Sequence, residues 1–162
     1  MKIDRVLVPL DGSPLAEQAL MKALDLTRDR ESTFVLLRAA VASTWPGIDP
    51  TDEQIRVVRE AEDYLEGVKT KLAAKGVQRV ETSVWYGLPA SAIVEAARIG
   101  KIDLIVMTTH GRSGLGRLVL GSVAEAVLRG TTTPILLLRA DGAPVQAPSG
   151  VAQEHTTAGA PR

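Results

Sequence analysis

Short runs of apolar residues punctuate this chain, and their continuity limits what it can fold into. Val6-Leu7-Val8-Pro9-Leu10, Phe34-Val35-Leu36-Leu37 (running on toward Ala40), Leu104-Ile105-Val106-Met107 and Pro134-Ile135-Leu136-Leu137-Leu138 carry no regular polar alternation. A strand with one wet face alternates apolar and polar residues, whereas a continuous run is buried on both faces. Val80 to Tyr86 reads as a further strand. The segments between these runs repeat apolar residues at helical spacing. Ala16, Ala19, Leu20, Ala23 and Leu24 form one such stripe, and Ile55, Val58, Leu65, Val68 and Leu72 a second. Ile93, Val94 and Ala97 belong to a third helix, ended by Gly100. Five strands alternating with four helices imply a parallel sheet covered on both sides. The fold class expected is α/β: a doubly wound, open five-stranded parallel sheet of order 3-2-1-4-5, Rossmann-like, with ligands at the carboxyl ends of its strands.

Local signals place the helix starts. Ser13-Pro14 supplies an N-cap and a proline at the first helical position. Thr51-Asp52-Glu53-Gln54 and Ser122-Val123-Ala124-Glu125 both fit a capping box. Residues 1–139 are expected to form one domain. From Ala140 onward the chain is Ala, Gly, Pro, Ser, Thr and Gln with hardly a large apolar side chain, so 140–162 is expected to stay a disordered tail.

Composition removes several classes of function. Lys plus Arg equals Asp plus Glu, 19 against 19, so no bulk field draws nucleic acid or an anionic membrane. One Phe, two Tyr and two Trp are too few for a base-stacking platform. The absence of cysteine excludes disulfides and thiolate metal sites, and two histidines, His110 and His155, cannot make a cluster. Met1-Lys2-Ile3-Asp4-Arg5 turns polar too early for a secretory leader, and no apolar run reaches 18 residues. The expected address is the cytoplasm.

The chemistry concentrates after the fourth strand, in Thr108-Thr109-His110-Gly111-Arg112-Ser113-Gly114-Leu115-Gly116-Arg117-Leu118-Val119-Leu120-Gly121-Ser122. Glycines permit close backbone approach, Arg112 and Arg117 bring positive charge, and Ser122 brings a hydroxyl to a helix N-terminus, where unpaired N–H groups attract anions. Thirteen residues from Thr109 to Gly121 is also a long connection for a small domain, and such loops tend to be functional or disordered. A nucleotide is the first hypothesis. Other nucleotide folds fail by omission. No Gly-Lys-Ser/Thr supplies a P-loop, and the first strand is followed by Asp11-Gly12-Ser13 rather than a dinucleotide fingerprint. A response-regulator receiver lacks its aspartate after the third strand, where Gly87-Leu88-Pro89 stands, and its lysine after the fifth, where Arg139 stands. The hydroxyl-rich first loop of a flavodoxin is missing too.

Gly111, nine residues, then Gly121-Ser122 resembles the ATP-binding signature of the universal stress protein A family: Gly, two residues, Gly, nine residues, Gly and Ser or Thr. Val8-Pro9-Leu10-Asp11-Gly12-Ser13 resembles that family's first strand and turn, and Gly87-Leu88-Pro89 the entry to its third helix. The resemblance spans about residues 3 to 139. One position departs: Thr108 stands where the signature has its first glycine, and its methyl and hydroxyl either crowd a nucleotide or donate to it.

The resemblance implies that Pro9, Leu10 and Asp11 edge the adenosine, that Ala39 lines the adenine pocket, and that Met107 and Thr108 floor the site. It implies that Gly111, Arg112, Gly121, Ser122 and Val123 hold the phosphates of ATP, with Mg²⁺ or Mn²⁺ bound through phosphate oxygens and water. Blander readings stand beside these. Ser122 and Glu125 serve equally well as a structural cap, Asp11 as the shaper of a turn, His110 as a loop-fixing hydrogen-bonding group, Arg112 as a surface charge, and Trp45 as pocket cover or surface packing. The loop contains no carboxylate to act as a base, so at most slow ATP hydrolysis is expected and no dedicated enzyme. The resemblance favours a nucleotide-binding regulator of stress endurance; the competing reading is a nucleotide-free interaction module of the same fold. In the order 3-2-1-4-5 the apolar fifth strand, Ile135 to Leu138, lies at an edge, and antiparallel pairing with a second copy would cover it as a homodimer.

Overall fold

The computed structural model describes residues 2–27, 31–42, 49–109 and 120–139. In chain order these form β1 (Arg5–Pro9), α1 (Pro14–Leu26), β2 (Thr33–Ala40), α2 (Pro50–Ala74), β3 (Val80–Tyr86), α3 (Pro89–Ile99), β4 (Leu104–Thr108), α4 (Ser122–Gly130) and β5 (Ile135–Leu138). The five strands make one sheet in the order β3-β2-β1-β4-β5, with every neighbouring pair parallel. The fold class expected from the sequence is the fold observed.

Continuous apolar runs give β1, β2 and β4 two buried faces, and each face builds its own core. Val6, Val8, Phe34, Leu36 and Val106 pack with Leu20 of α1 and with Leu65 and Leu72 of α2. Leu7, Val35, Leu37, Ile105 and Met107 pack with Ile93 of α3 and Val127 of α4. Each fully buried side chain of this size contributes about 1.5–3 kcal/mol. In β1–β2 register, Val6 lies opposite Phe34 and Val8 opposite Leu36, while on its other side Leu7 meets Ile105 of β4. At the amino end of the sheet, one carboxylate oxygen of Asp103 accepts the backbone N–H groups of Asp4 and Arg5, both at 2.9 Å. Beside it the Arg5 guanidinium donates to both oxygens of Glu81, at 3.1 and 2.6 Å.

Helix starts depart from the sequence reading in two places. Ser13 caps α1 as expected, its hydroxyl accepting from the Ala16 N–H at 3.2 Å. For α2 the cap is Asp49, which accepts from the Thr51 N–H at 2.7 Å with Pro50 in the first turn, so the Thr51 capping box does not form. The helix starts earlier than the box would place it; Ile55 in its first turns is exposed, and its buried stripe is Ala61, Leu65, Val68 and Leu72. The Ser122 capping box fails as well. Gly121 is the N-cap of α4, Ser122 is its first helical residue, and among the described residues no side chain caps it. Glu125 instead accepts from Arg129, one turn on, at 2.8 Å.

All four β5 side chains are half-buried. Leu136 and Leu138 lean on the α1/α2 core, and Ile135 and Leu137 on the α3/α4 core.

Candidate functional site

A cavity of about 560 Å³ opens at the carboxyl ends of β1, β2 and β4. That is the size of an ordinary small-molecule pocket. β1 delivers Pro9, with Leu10 and Asp11 following it; β2 delivers Ala39; β4 delivers Met107 and Thr108. Gly121, Ser122 and Val123 close the fourth side from the start of α4. Nine of the eleven residues named from the sequence therefore surround one space, although they come from four separate parts of the chain. The remaining two, Gly111 and Arg112, lie outside the described residues, as do His110, Gly114, Gly116, Arg117 and Trp45.

Each wall has a local cause. After β1 the chain turns at Gly12, whose φ of +85° suits glycine. One Asp11 oxygen accepts both the Ser13 N–H, at 2.9 Å, and the Ser13 hydroxyl, at 2.6 Å. Asp11 therefore does shape this turn, and it does so while standing on the cavity wall. Thr109 ties the opposite wall together: its N–H donates to the Leu138 carbonyl at 2.8 Å, and its carbonyl accepts the Gly121 N–H at 2.7 Å. The first-turn N–H groups of a helix have no acceptor within it. Among the described residues, those of Ser122, Val123 and Ala124 have none elsewhere either, and all three residues line the cavity. By strand alternation Thr108 shares the α1/α2 face of β4 with Val106, while Met107 turns toward α3 and α4.

Several wall residues escaped the sequence reading. Leu37, Pro89 and Ile93 extend the apolar lining on the α3/α4 side. On the α1/α2 side stand Arg38, Val57 and Glu60. Arg38 interrupts an otherwise apolar strand, and that interruption was the available signal. Its guanidinium lies 4.5 Å from the centre of the Tyr64 ring, a cation–π contact. The Tyr64 hydroxyl donates to Glu17 at 3.0 Å, and burial, reinforced by that bond, pushes the phenol well above its usual range. Glu60 is ion-paired with Arg56.

No group of three or more His, Asp or Glu side chains is placed to cage a metal among the described residues. Among the same residues no helix is long and apolar enough to cross a membrane.

The sequence profile of the universal stress protein family matches residues 2–139. The chain belongs to the universal stress protein family. Among relatives of this universal stress protein, YxiE of Bacillus subtilis (strain 168) is 36% identical over 147 residues, spanning 84% of this chain and 99% of that one. Universal stress protein UspA from Lactobacillus plantarum has the same fold, with a TM-score of 0.74 at 23% identity over 86% of this chain and 99% of that one. A universal stress protein solved in complex with cAMP aligns with a TM-score of 0.59 at 25% identity, over 85% of this chain and 98% of that one.

Proposed function

We propose that this universal stress protein is a regulatory adenine-nucleotide-binding protein of the stress response and that its nucleotide is ATP. What carries the reading is the convergence of nine residues, named from the family resemblance, on one cavity whose fourth wall is a helix start with no side-chain cap among the described residues. Pro9, Leu10 and Asp11 edge the adenosine, Ala39 lines the adenine pocket, and Met107 and Thr108 form the floor. Gly121, Ser122 and Val123 hold phosphate through backbone N–H groups and the Ser122 hydroxyl, with Gly111 and Arg112 completing the cradle. Mg²⁺ or Mn²⁺ accompanies the phosphates. The nucleotide-binding unit is residues 1–139, working in the cytoplasm as a homodimer joined through Ile135–Leu138. Turnover is slow at most, and the ATP-bound state acts by altering surface or assembly.

The complex of a related universal stress protein with cAMP supports an adenine nucleotide as the ligand class. Two measurements test ATP itself. Protein purified without added nucleotide is denatured by heat and the supernatant assayed for adenine nucleotide; the apoprotein is then titrated calorimetrically with MgATP. Saturable binding with one site per chain is expected. No heat of binding at millimolar MgATP overturns the proposal and leaves the nucleotide-free interaction module.

A further inference from the structure

On the α1/α2 side of the cavity, Arg38 is a charge without an ionic partner among the described residues. Among the described residues its guanidinium makes no hydrogen bond and no ion pair; its contacts are the Tyr64 ring and the Gly12 turn. A Cβ placed on Gly12 would lie 3.4 Å from one guanidinium nitrogen, so Arg38 packs directly against the residue that follows Asp11. Carboxylates are available on the same wall, yet they are engaged elsewhere. Glu60 pairs with Arg56, and Asp11 accepts from Ser13. Stacking on an aromatic face occupies the flat side of a guanidinium and leaves its N–H fork, which lies in the plane, available to an oxyanion. Arg38 is half-buried, and such a charge is worth most when a planar, bidentate acceptor completes it.

We propose that Arg38 makes this a site for adenosine nucleotides that carry a phosphate on the ribose 2′ or 3′ oxygen. The inference rests on the nucleotide reading above, in which Asp11 edges the adenosine, and takes the ribose as the part of it nearest Asp11. Arg38 then stands on the hydroxyl edge of the sugar, away from the phosphate cradle at α4. Arg38 enters the cavity from β2, whereas the α4 start follows β4 on the other side of β1, so the two anion-binding points come from different walls. In dinucleotide-binding folds a carboxylate accepts from a free ribose hydroxyl, and a nearby arginine accommodates a phosphate in its place. This wall holds both groups, and among the described residues the arginine is the one without a hydrogen-bonding or ionic partner.

The full chain is titrated calorimetrically, at one fixed ionic strength, with AMP, adenosine 2′,5′-bisphosphate and adenosine 3′,5′-bisphosphate. One bisphosphate is expected to bind about tenfold or more tightly than AMP, the gain of a charge-assisted contact. In Arg38→Gln the ratio of the two affinities returns to about one. Arg38→Lys, whose stem can still lie along Tyr64, retains part of the preference and keeps the test readable if the Gln variant folds poorly. Equal affinities in the wild type, or a preference that survives in Arg38→Gln, overturns the proposal while leaving ATP binding intact. Failure of the wild type to bind AMP, ATP or either bisphosphate overturns the nucleotide reading and this inference together.

Discussion

Replacing Ser122 with proline separates a ligand-binding role for the start of α4 from a structural one. Proline needs three things at that position, and the structure supplies them. Gly121 has φ −61° and ψ 146°, in the extended region that the residue before a proline prefers. Ser122 is the first helical residue, where the fixed φ of proline is already suited to the helix. Its N–H has no acceptor among the described residues, so none of their hydrogen bonds is lost. The Gly121 N–H to the Thr109 carbonyl and the Glu125 N–H to the Gly121 carbonyl both survive the change. Ser122→Pro should therefore leave the ligand-free protein within about 1 kcal/mol of wild type, on the stabilised side. A capping role for Ser122 would predict a loss of about 1 kcal/mol, a fall of a few degrees in melting temperature. Binding should respond in the opposite sense. The substitution deletes one N–H and one hydroxyl donor, and hydrogen bonds to a charged phosphate are worth about 1.5–3 kcal/mol each. MgATP affinity should fall by tenfold or more. The assays are a thermal melt without nucleotide and a calorimetric titration with MgATP, with Ser122→Ala between the two because it keeps the amide. A variant that melts several degrees lower, or that binds MgATP undiminished, refutes the reasoning.

The β5 edge offers a second test: Leu136→Lys should sediment as a monomer while keeping its far-ultraviolet circular dichroism, and unchanged sedimentation would count against that interface. Gly100→Ala should be destabilising by about 1–3 kcal/mol despite the better helix propensity of alanine. The reason is backbone crowding, since its Cβ would stand 2.8 Å from the Ala96 carbonyl oxygen, and an unchanged denaturation midpoint would contradict it. Hydrogen bonding from Arg5 holds the Glu81 carboxyl below its ordinary range. The folded value lies under the unfolded one, so the pair's stabilisation is complete above about pH 4.5 and is lost as pH falls through the folded value. Glu81→Gln should thus lower the melting temperature at pH 7, with the gap to wild type closing in acid; an equal gap at pH 3 and pH 7 would rule this out.

What the sequence made legible follows from how local each signal is. Buried strands announce themselves through continuous apolar runs, and Ser13-Pro14 fixes a helix start with two adjacent residues. The errors lie where two local signals compete. Asp49-Pro50 outranked Thr51 as a start because a carboxylate cap and a proline together begin the helix before the threonine can cap it. At α4 a glycine took the cap and left Ser122 inside the helix, although Ser122 and Glu125 have capping-box spacing. The cavity was half visible. Residues at strand ends follow from topology, whereas Val57 and Glu60 reach it only because a helix of 25 residues crosses back over the sheet. No spacing rule connects such positions to Asp11.

The bonds from Asp103 to the amides of Asp4 and Arg5 have a consequence for how the molecule is made. β1 sits in the middle of the sheet, yet one of its two neighbours is encoded about a hundred residues later. During synthesis β1, β2 and β3 can assemble with α1 and α2 while one side of β1 remains bare. Such an unpaired edge is adhesive until the rest of the chain arrives. The cavity shares that timetable, since two of its walls follow Asp103 in the chain. No small molecule that depends on those walls can guide the first hundred residues to their native form, so their early packing rests on α1, α2 and α3 against β1, β2 and β3.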